Sequence, residues 1–217
     1  MRFIFFAEER EESMKKTAII FMSPLIIFLN AKGVQALILP RLTMEEMIQK
    51  ADAIVAGKGD HFHIHPDLEG KAFYAIVTFK VDEYLKNDLR KDEIIIMQVA
   101  QEKNDGGKFV SGPLALKMDE EVVLFLTEED NQGFRHVLGL SQGKYTVVQD
   151  RLGEKRLIQD LKDVRFFDKG SGVIYDASHI QVKLTYEEFK AIIQQATSRI
   201  KAKKEMFSTL SSSEKFF

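Results

Sequence analysis

His61-Phe62-His63-Ile64-His65 places three imidazoles at alternate positions within five residues. Side chains two apart on an extended strand share a face, so the three rings would project together. A His-x-His pair in that geometry can hold zinc, and three imidazoles plus a water would make an open, catalytic-type site. Asp67 is near enough in sequence to act as a further ligand or to orient one. The segment also sits between Gly57 and Gly70 with Pro66 inside it, which predicts a strand end or loop. Imidazoles there are ordinarily solvated. His61, His63 and His65 are thus the candidate metal ligands, with zinc as the candidate ion and solvated histidines as the competing account.

Gly139-Leu140-Ser141-Gln142-Gly143 has the letters of a G-x-S-x-G nucleophile elbow. That motif exposes its serine only on a tight strand-to-helix turn. The residues that follow, Lys144-Tyr145-Thr146-Val147-Val148, read as strand, so a hairpin turn with Gly143 at positive φ is expected instead. Two acidic clusters, Asp119-Glu120-Glu121 and Glu128-Glu129-Asp130, flank an apolar strand. Their spacing matches no calcium loop, and solvated turn residues guarding strand ends are expected. Nucleophile, base and oxyanion donors nowhere converge, so no catalytic residue is assigned and no enzymatic activity is expected.

These residues need elements to hold them, and the elements are largely β. Strands are predicted at Ala53–Gly57, Phe73–Tyr84, Glu93–Val99, Val122–Leu126, Phe134–Leu138 and Tyr145–Val148, rich in Val, Ile, Phe and Tyr. Shorter ones fit Val164–Phe167, Val173–Tyr175 and Ile180–Lys183. Charged or Gly-containing turns at Lys86–Asp92, Asn104–Gly107 and Glu128–Gly133 punctuate them. Two helices carry capping boxes, Thr43-Met44-Glu45-Glu46 and Thr185-Tyr186-Glu187-Glu188, with staples Leu42/Met47 and Leu184/Phe189. In the second, Phe189, Ile192, Ile193, Ala196 and Ile200 make one apolar stripe that suits packing against the sheet. Lys201, Lys203 and Lys204 are expected in its last turns, where cations complement the helix dipole, before a Ser-rich tail from Met206 to Phe217. Tyr74, Phe79, Phe109, Phe125, Phe134, Tyr145, Phe166 and Phe167 are the expected large core side chains.

The N-terminus has the three parts of a secretory leader. Met14-Lys15-Lys16 is basic, Thr17–Leu29 is apolar, and Val34-Gln35-Ala36 offers small side chains for cleavage after Ala36. The apolar run is shorter than a membrane span needs and contains Pro24. Met14 is the better start, since Met1–Ser13 ends in the acidic run Glu8-Glu9-Arg10-Glu11-Glu12. The expected organisation is a signal peptide at 1–36, one domain at 37–205 and a flexible tail at 206–217. Export to the periplasm or medium follows from that leader, with no stable membrane span after cleavage.

Residues 1–36 hold five of the 31 Lys/Arg and four of the 33 Asp/Glu, leaving 26 and 29, net −3. That balance gives no electrostatic reason to bind nucleic acid, even though aromatics on a barrel can stack bases. The chain has no cysteine, which excludes disulfides, thiolate ligands and a lipid-modified cysteine.

Several motifs together resemble a family of uncharacterised exported bacterial proteins. The resemblance runs through Thr43-Met44-Glu45-Glu46, Ala51-Asp52-Ala53-Ile54-Val55-Ala56-Gly57-Lys58 and Val81-Asp82-Glu83-Tyr84-Leu85-Lys86. It continues through Asp119–Leu126, Gly139-Leu140-Ser141-Gln142-Gly143-Lys144-Tyr145 and the helix that opens at Thr185. The strand order more distantly resembles netrin-like modules, including tissue inhibitors of metalloproteinases, which are OB-type barrels. That likeness implies a binding or inhibitory role, although the cysteines on which those inhibitors rely are absent here.

The expected fold is mainly β: a small closed or partly closed antiparallel barrel, OB or netrin-like, with an N-terminal and a C-terminal helix. The expected function is a non-enzymatic protein-binding or inhibitor-like module with a partner outside the cytoplasm. The alternative is a metal-binding protein that uses His61, His63 and His65.

Overall fold

The computed structural model describes residues 37–66, 73–103, 108–111, 116–162, 164–178, 180 and 184–213. The leader at 1–36, Asp67 and most of the Ile180–Lys183 strand lie outside the described residues.

The fold is mainly β with two helices among the described residues. In chain order the elements are β1 (Leu37–Pro40), α1 (Met44–Lys50), β2 (Ala53–Pro66), β3 (Phe73–Lys86), β4 (Glu93–Lys103) and β5 (Lys108–Ser111). They continue with β6 (Glu121–Leu126), a 3-10 turn (Leu140–Gly143), β7 (Lys144–Gln149), β8 (Lys155–Ile158), β9 (Val164–Phe167), β10 (Ile174–Asp176) and α2 (Tyr186–Ser213).

Seven strands form one sheet in the order β5-β4-β3-β2-β6-β7-β8, all antiparallel. Its end strands, β5 and β8, do not pair with each other, so the assigned strands do not close a barrel. The stretch 134–138 forms single bridges rather than the expected full strand. Arg135 N donates to Ile95 O and Met97 N donates to Arg135 O, tying it to β4. Leu138 N donates to Phe125 O and Thr127 N to His136 O, tying it to the end of β6. A second, three-stranded sheet has the order β1-β9-β10, with β1 parallel to β9.

The first part of β2, Ala53–Gly57, and β6 form the central layer and are buried on both faces. Ile54, Ala56, Val123 and Phe125 point to one core, shared with Met47, Ile48, Tyr145, Leu157, Phe189 and Ile193. Ala53, Val55, Val122, Leu124 and Leu126 point to a second, shared with Val77, Phe79, Ile94, Ile96 and Val137. Burial on both faces is why Ala53–Gly57 reads as an unbroken apolar run rather than an alternation. Phe189 closes the first core against Tyr145 and Phe125, with ring centroids 4.9 and 6.2 Å away.

Both capping boxes form. Glu46 N donates to Thr43 Oγ1 and Thr43 N to Glu46 Oε2, and Thr185 and Glu188 repeat the exchange. At the other end of α1, the Lys86 ammonium donates to the carbonyls of Ile48 and Ala51. Burial lowers its proton affinity, partly offset by Asp52.

Three expectations are corrected and one is narrowed. Helix α2 runs to Ser213, past Met206, because nothing between Tyr186 and Ser213 is Gly or Pro. Lys201, Lys203 and Lys204 therefore lie inside it, and its last turn has no basic residue. Of the two expectations for the histidine segment, strand end and loop, the strand end is what forms, because β3 is long enough to pair with it as far as Pro66, the strand's last residue. Phe167 is exposed, on the outer side of the small sheet, instead of in the core. Strands β5 and β8 were not anticipated, being four-residue segments with charged or glycine neighbours.

Candidate functional site

β2 changes character along its length. Ala53–Lys58 is flanked by β3 and β6. A bulge between Gly59 and His61 follows, and from His61 to Pro66 the strand pairs with β3 alone among the described strands. Gly57 is required by close approach: a β-carbon there would lie 2.0 Å from Lys80 O.

Beyond the bulge the register sets out one outer face. His61 lies beside Thr78 and Ile95, His63 beside Ile76 and Met97, and His65 beside Tyr74 and Val99. The three histidines do share a face, as alternation on a strand requires. All three are exposed, and Val99 is 53% exposed at the far side. On the opposite parity Ala75, Gln98 and Ala100 are buried, whereas Phe62 on the free side of β2 is 51% exposed. The amide of Gln98 has no hydrogen-bond partner among the described residues.

The histidines differ in their partners. The His61 ring nitrogen Nδ1 lies 2.6 Å from Asp60 Oδ2, and the same carboxylate binds Lys80 Nζ at 3.0 Å. His63 and His65 contact each other edge-on, with ring centroids 6.5 Å apart. Among the described residues no group of three or more His, Cys, Asp or Glu side chains is gathered closely enough to hold a metal ion.

The G-x-S-x-G segment is neither elbow nor simple hairpin. It forms the 3-10 turn, and the positive φ falls at Gly139 (67°) and Leu140 (55°), not at Gly143. Gly143 is needed for space, since a β-carbon would come 2.1 Å from Leu138 O. Ser141 is buried and β7 follows at once, so the serine is not presented to solvent as an elbow requires. Gln142 is the informative residue: its Oε1 accepts from Leu42 N at 2.9 Å and its Nε2 donates to Pro40 O at 3.1 Å. The motif thus pins the chain entering α1.

The acidic clusters are paired rather than merely solvated. Glu120 accepts from Lys144 Nζ at 2.8 Å and Thr146 Oγ1 at 3.1 Å. Burial would raise its pKa, but these partners outweigh it and hold the carboxyl below its ordinary range. Glu129 binds Lys91, and Asp130 accepts from Gln132 N and Phe134 N and lies 3.1 Å from His136. Glu83 accepts from the Tyr186 hydroxyl at 2.8 Å and pairs with Lys190, joining β3 to α2. Burial and Glu83 both push the Tyr186 phenol up.

One residue that sequence reasoning passed over is Arg135. It is buried, its Nη1 lies 2.6 Å from Asp52 Oδ2, and the same nitrogen donates to Thr127 O at 2.7 Å. This pairing explains the aspartate of the Ala51–Lys58 motif. An arginine between Phe134 and His136 gave no hint that its partner lay 83 residues away.

What remains without an internal role is the outer face of β2-β3-β4: three histidines beside Tyr74, Ile76, Met97 and Val99. No family model, curated protein or solved structure matches the chain.

Proposed function

We propose that the chain is a non-enzymatic protein-binding module acting outside the cytoplasm, and that it binds through the outer face of β2-β3-β4. The single observation that carries this reading is the row of Tyr74, Ile76, Met97 and Val99 on the accessible side of paired long strands. A partly apolar sheet face with a row of imidazoles fits a protein surface better than a small substrate. From His61 to Pro66 β2 pairs with β3 alone among the described strands, so its other side offers backbone groups to which an extended peptide could add.

The finer fold reading is a partly closed OB-type barrel. It is supported by a cycle of pairings: β2 with β3, β3 with β4, β4 in parallel with Arg135, Val137 with β6, and β6 with β2. OB barrels have five strands and use the face of their second and third, which here would be β3 and β4. An inhibitor-like role rests on the likeness to netrin-like modules, and export rests on the Met14–Ala36 leader pattern.

The test is capture from the source organism's extracytoplasmic fraction on immobilised protein, with Val99→Lys beside the wild type and circular dichroism to show that the variant folds. One stoichiometric protein, retained by the wild type and lost from the variant, is expected. No such protein, or equal retention by the variant, overturns this surface.

A further inference from the structure

Among the described residues of this face, two imidazoles lie close together with no carboxylate between them. His63 and His65 are two apart on a regular stretch of β2, both exposed, with no register shift between them. Their ring centroids are 6.5 Å apart. A metal bound at about 2.0–2.1 Å by one nitrogen of each ring, at a tetrahedral angle, puts the ring centres about 5 Å apart. The rings must therefore close by roughly 1.5 Å, which side-chain rotation supplies without moving the strand.

His61 stands apart. Its Nδ1 lies 2.6 Å from Asp60, whose carboxylate is itself fixed by Lys80. The bulge after Gly59 brings Asp60 and His61 into this pairing and leaves the two histidines beyond it unengaged by any carboxylate among the described residues.

We propose that His63 and His65 form a two-imidazole chelate for a borderline divalent transition cation such as Zn²⁺, with water completing the coordination and His61 outside the pair, since no three such side chains gather closely enough among the described residues to hold one ion. Nitrogen-only ligation selects the zinc, copper and nickel class over calcium and magnesium, which require oxygen donors. An open two-ligand site on a solvated face binds much more weakly than a closed structural zinc centre. The chelate does not rest on the protein-binding reading.

The experiment is calorimetric titration of the full chain with Zn²⁺, with Mg²⁺ as the control, on wild type and the single variants His63→Ala, His65→Ala and His61→Ala. All three positions are exposed, so the variants keep the fold, and circular dichroism checks this. One Zn²⁺ per chain is expected, together with a zinc-dependent rise in Tm. Loss of either His63 or His65 should weaken binding more than about tenfold, the level at which loss of a mere supporting group begins. His61→Ala should change it less than about threefold. No saturable zinc binding below about 1 mM, or binding that survives loss of His63 and His65, overturns the proposal. So does a His61→Ala effect as large as the other two, which would mean a three-histidine site.

Discussion

The near and far halves of the same strands have opposite environments. At the near end β2 lies between β3 and β6, and Ala53, Ile54, Val55, Ala56 and Gly57 are all buried, alternately toward two cores. At the far end, beyond the bulge, β2 loses β6 as neighbour and its three histidines are exposed. There β3 and β4 bury one parity, while on the other Tyr74, Ile76 and Met97 are half-buried and Val99 is exposed. One pair of long strands thus serves as scaffold at one end and as surface at the other, and the change falls where Gly59 and the bulge interrupt the ladder. β2 keeps β3 as a neighbour throughout, but β6 and the cores on its two faces are present only at the near end, so stability should concentrate there and recognition at the other end.

The largest effect should come from the near half. Phe189 is fully buried and fills the space between Phe125 and Tyr145, so Phe189→Ala should destabilise by about 3–5 kcal/mol. Urea unfolding followed by tyrosine fluorescence and circular dichroism measures it. A cost below about 1 kcal/mol would mean that α2 is not integral to the near core, and the contrast between the two halves would fail.

The sequence disclosed the near half well and the far half poorly, for physical reasons. Local rules governed what local residues decide: both capping boxes form as the Thr-x-x-Glu spacing requires, and the apolar run at Ala53–Gly57 is a strand buried on both faces. Glycine and proline near the histidines read as a loop signal, yet Gly57 serves close approach to Lys80 O and Pro66 merely ends the strand. Nothing local could reveal that β3 would continue the ladder. The three histidines were legible as sharing a face, but the pairing of His61 with Asp60 depends on a bulge that sequence does not announce. Likewise Gln142 and Arg135 act on partners 100 and 83 residues away, a separation at which residue type says nothing about geometry. Composition alone places the helix end too early, since serine lowers helix propensity only slightly and no breaker stops α2 before Ser213.

A medium effect should appear on acidification. Glu120, mostly buried where β6 begins, is held below its ordinary pKa of 4.5 by Lys144 and Thr146. Its folded-state pKa is thus lower than its unfolded one. The resulting stabilisation is complete above about pH 4.5 and disappears as the pH falls through the depressed folded value. Glu120→Gln should be less stable than the wild type at pH 7, by about 1 kcal/mol, and the gap should narrow steadily below pH 4.5. Unfolding free energies of both proteins between about pH 3 and 7 give the comparison. A pH-independent gap would assign the loss to packing rather than to charge.

The smallest effect should come from the far half, and its smallness is the point. Val99 and Phe62 are 53% and 51% exposed, so replacing either with Ser removes only about half the burial of a core side chain. Each substitution should cost no more than about 1 kcal/mol in the same urea measurement. A loss above about 1.5 kcal/mol would mean that these side chains complete a core, and the far half would then be scaffold like the near half. A negligible loss leaves apolar groups held in water by rigid strands with no stability gained. That is the state in which a surface contributes its burial to a partner instead of to its own fold.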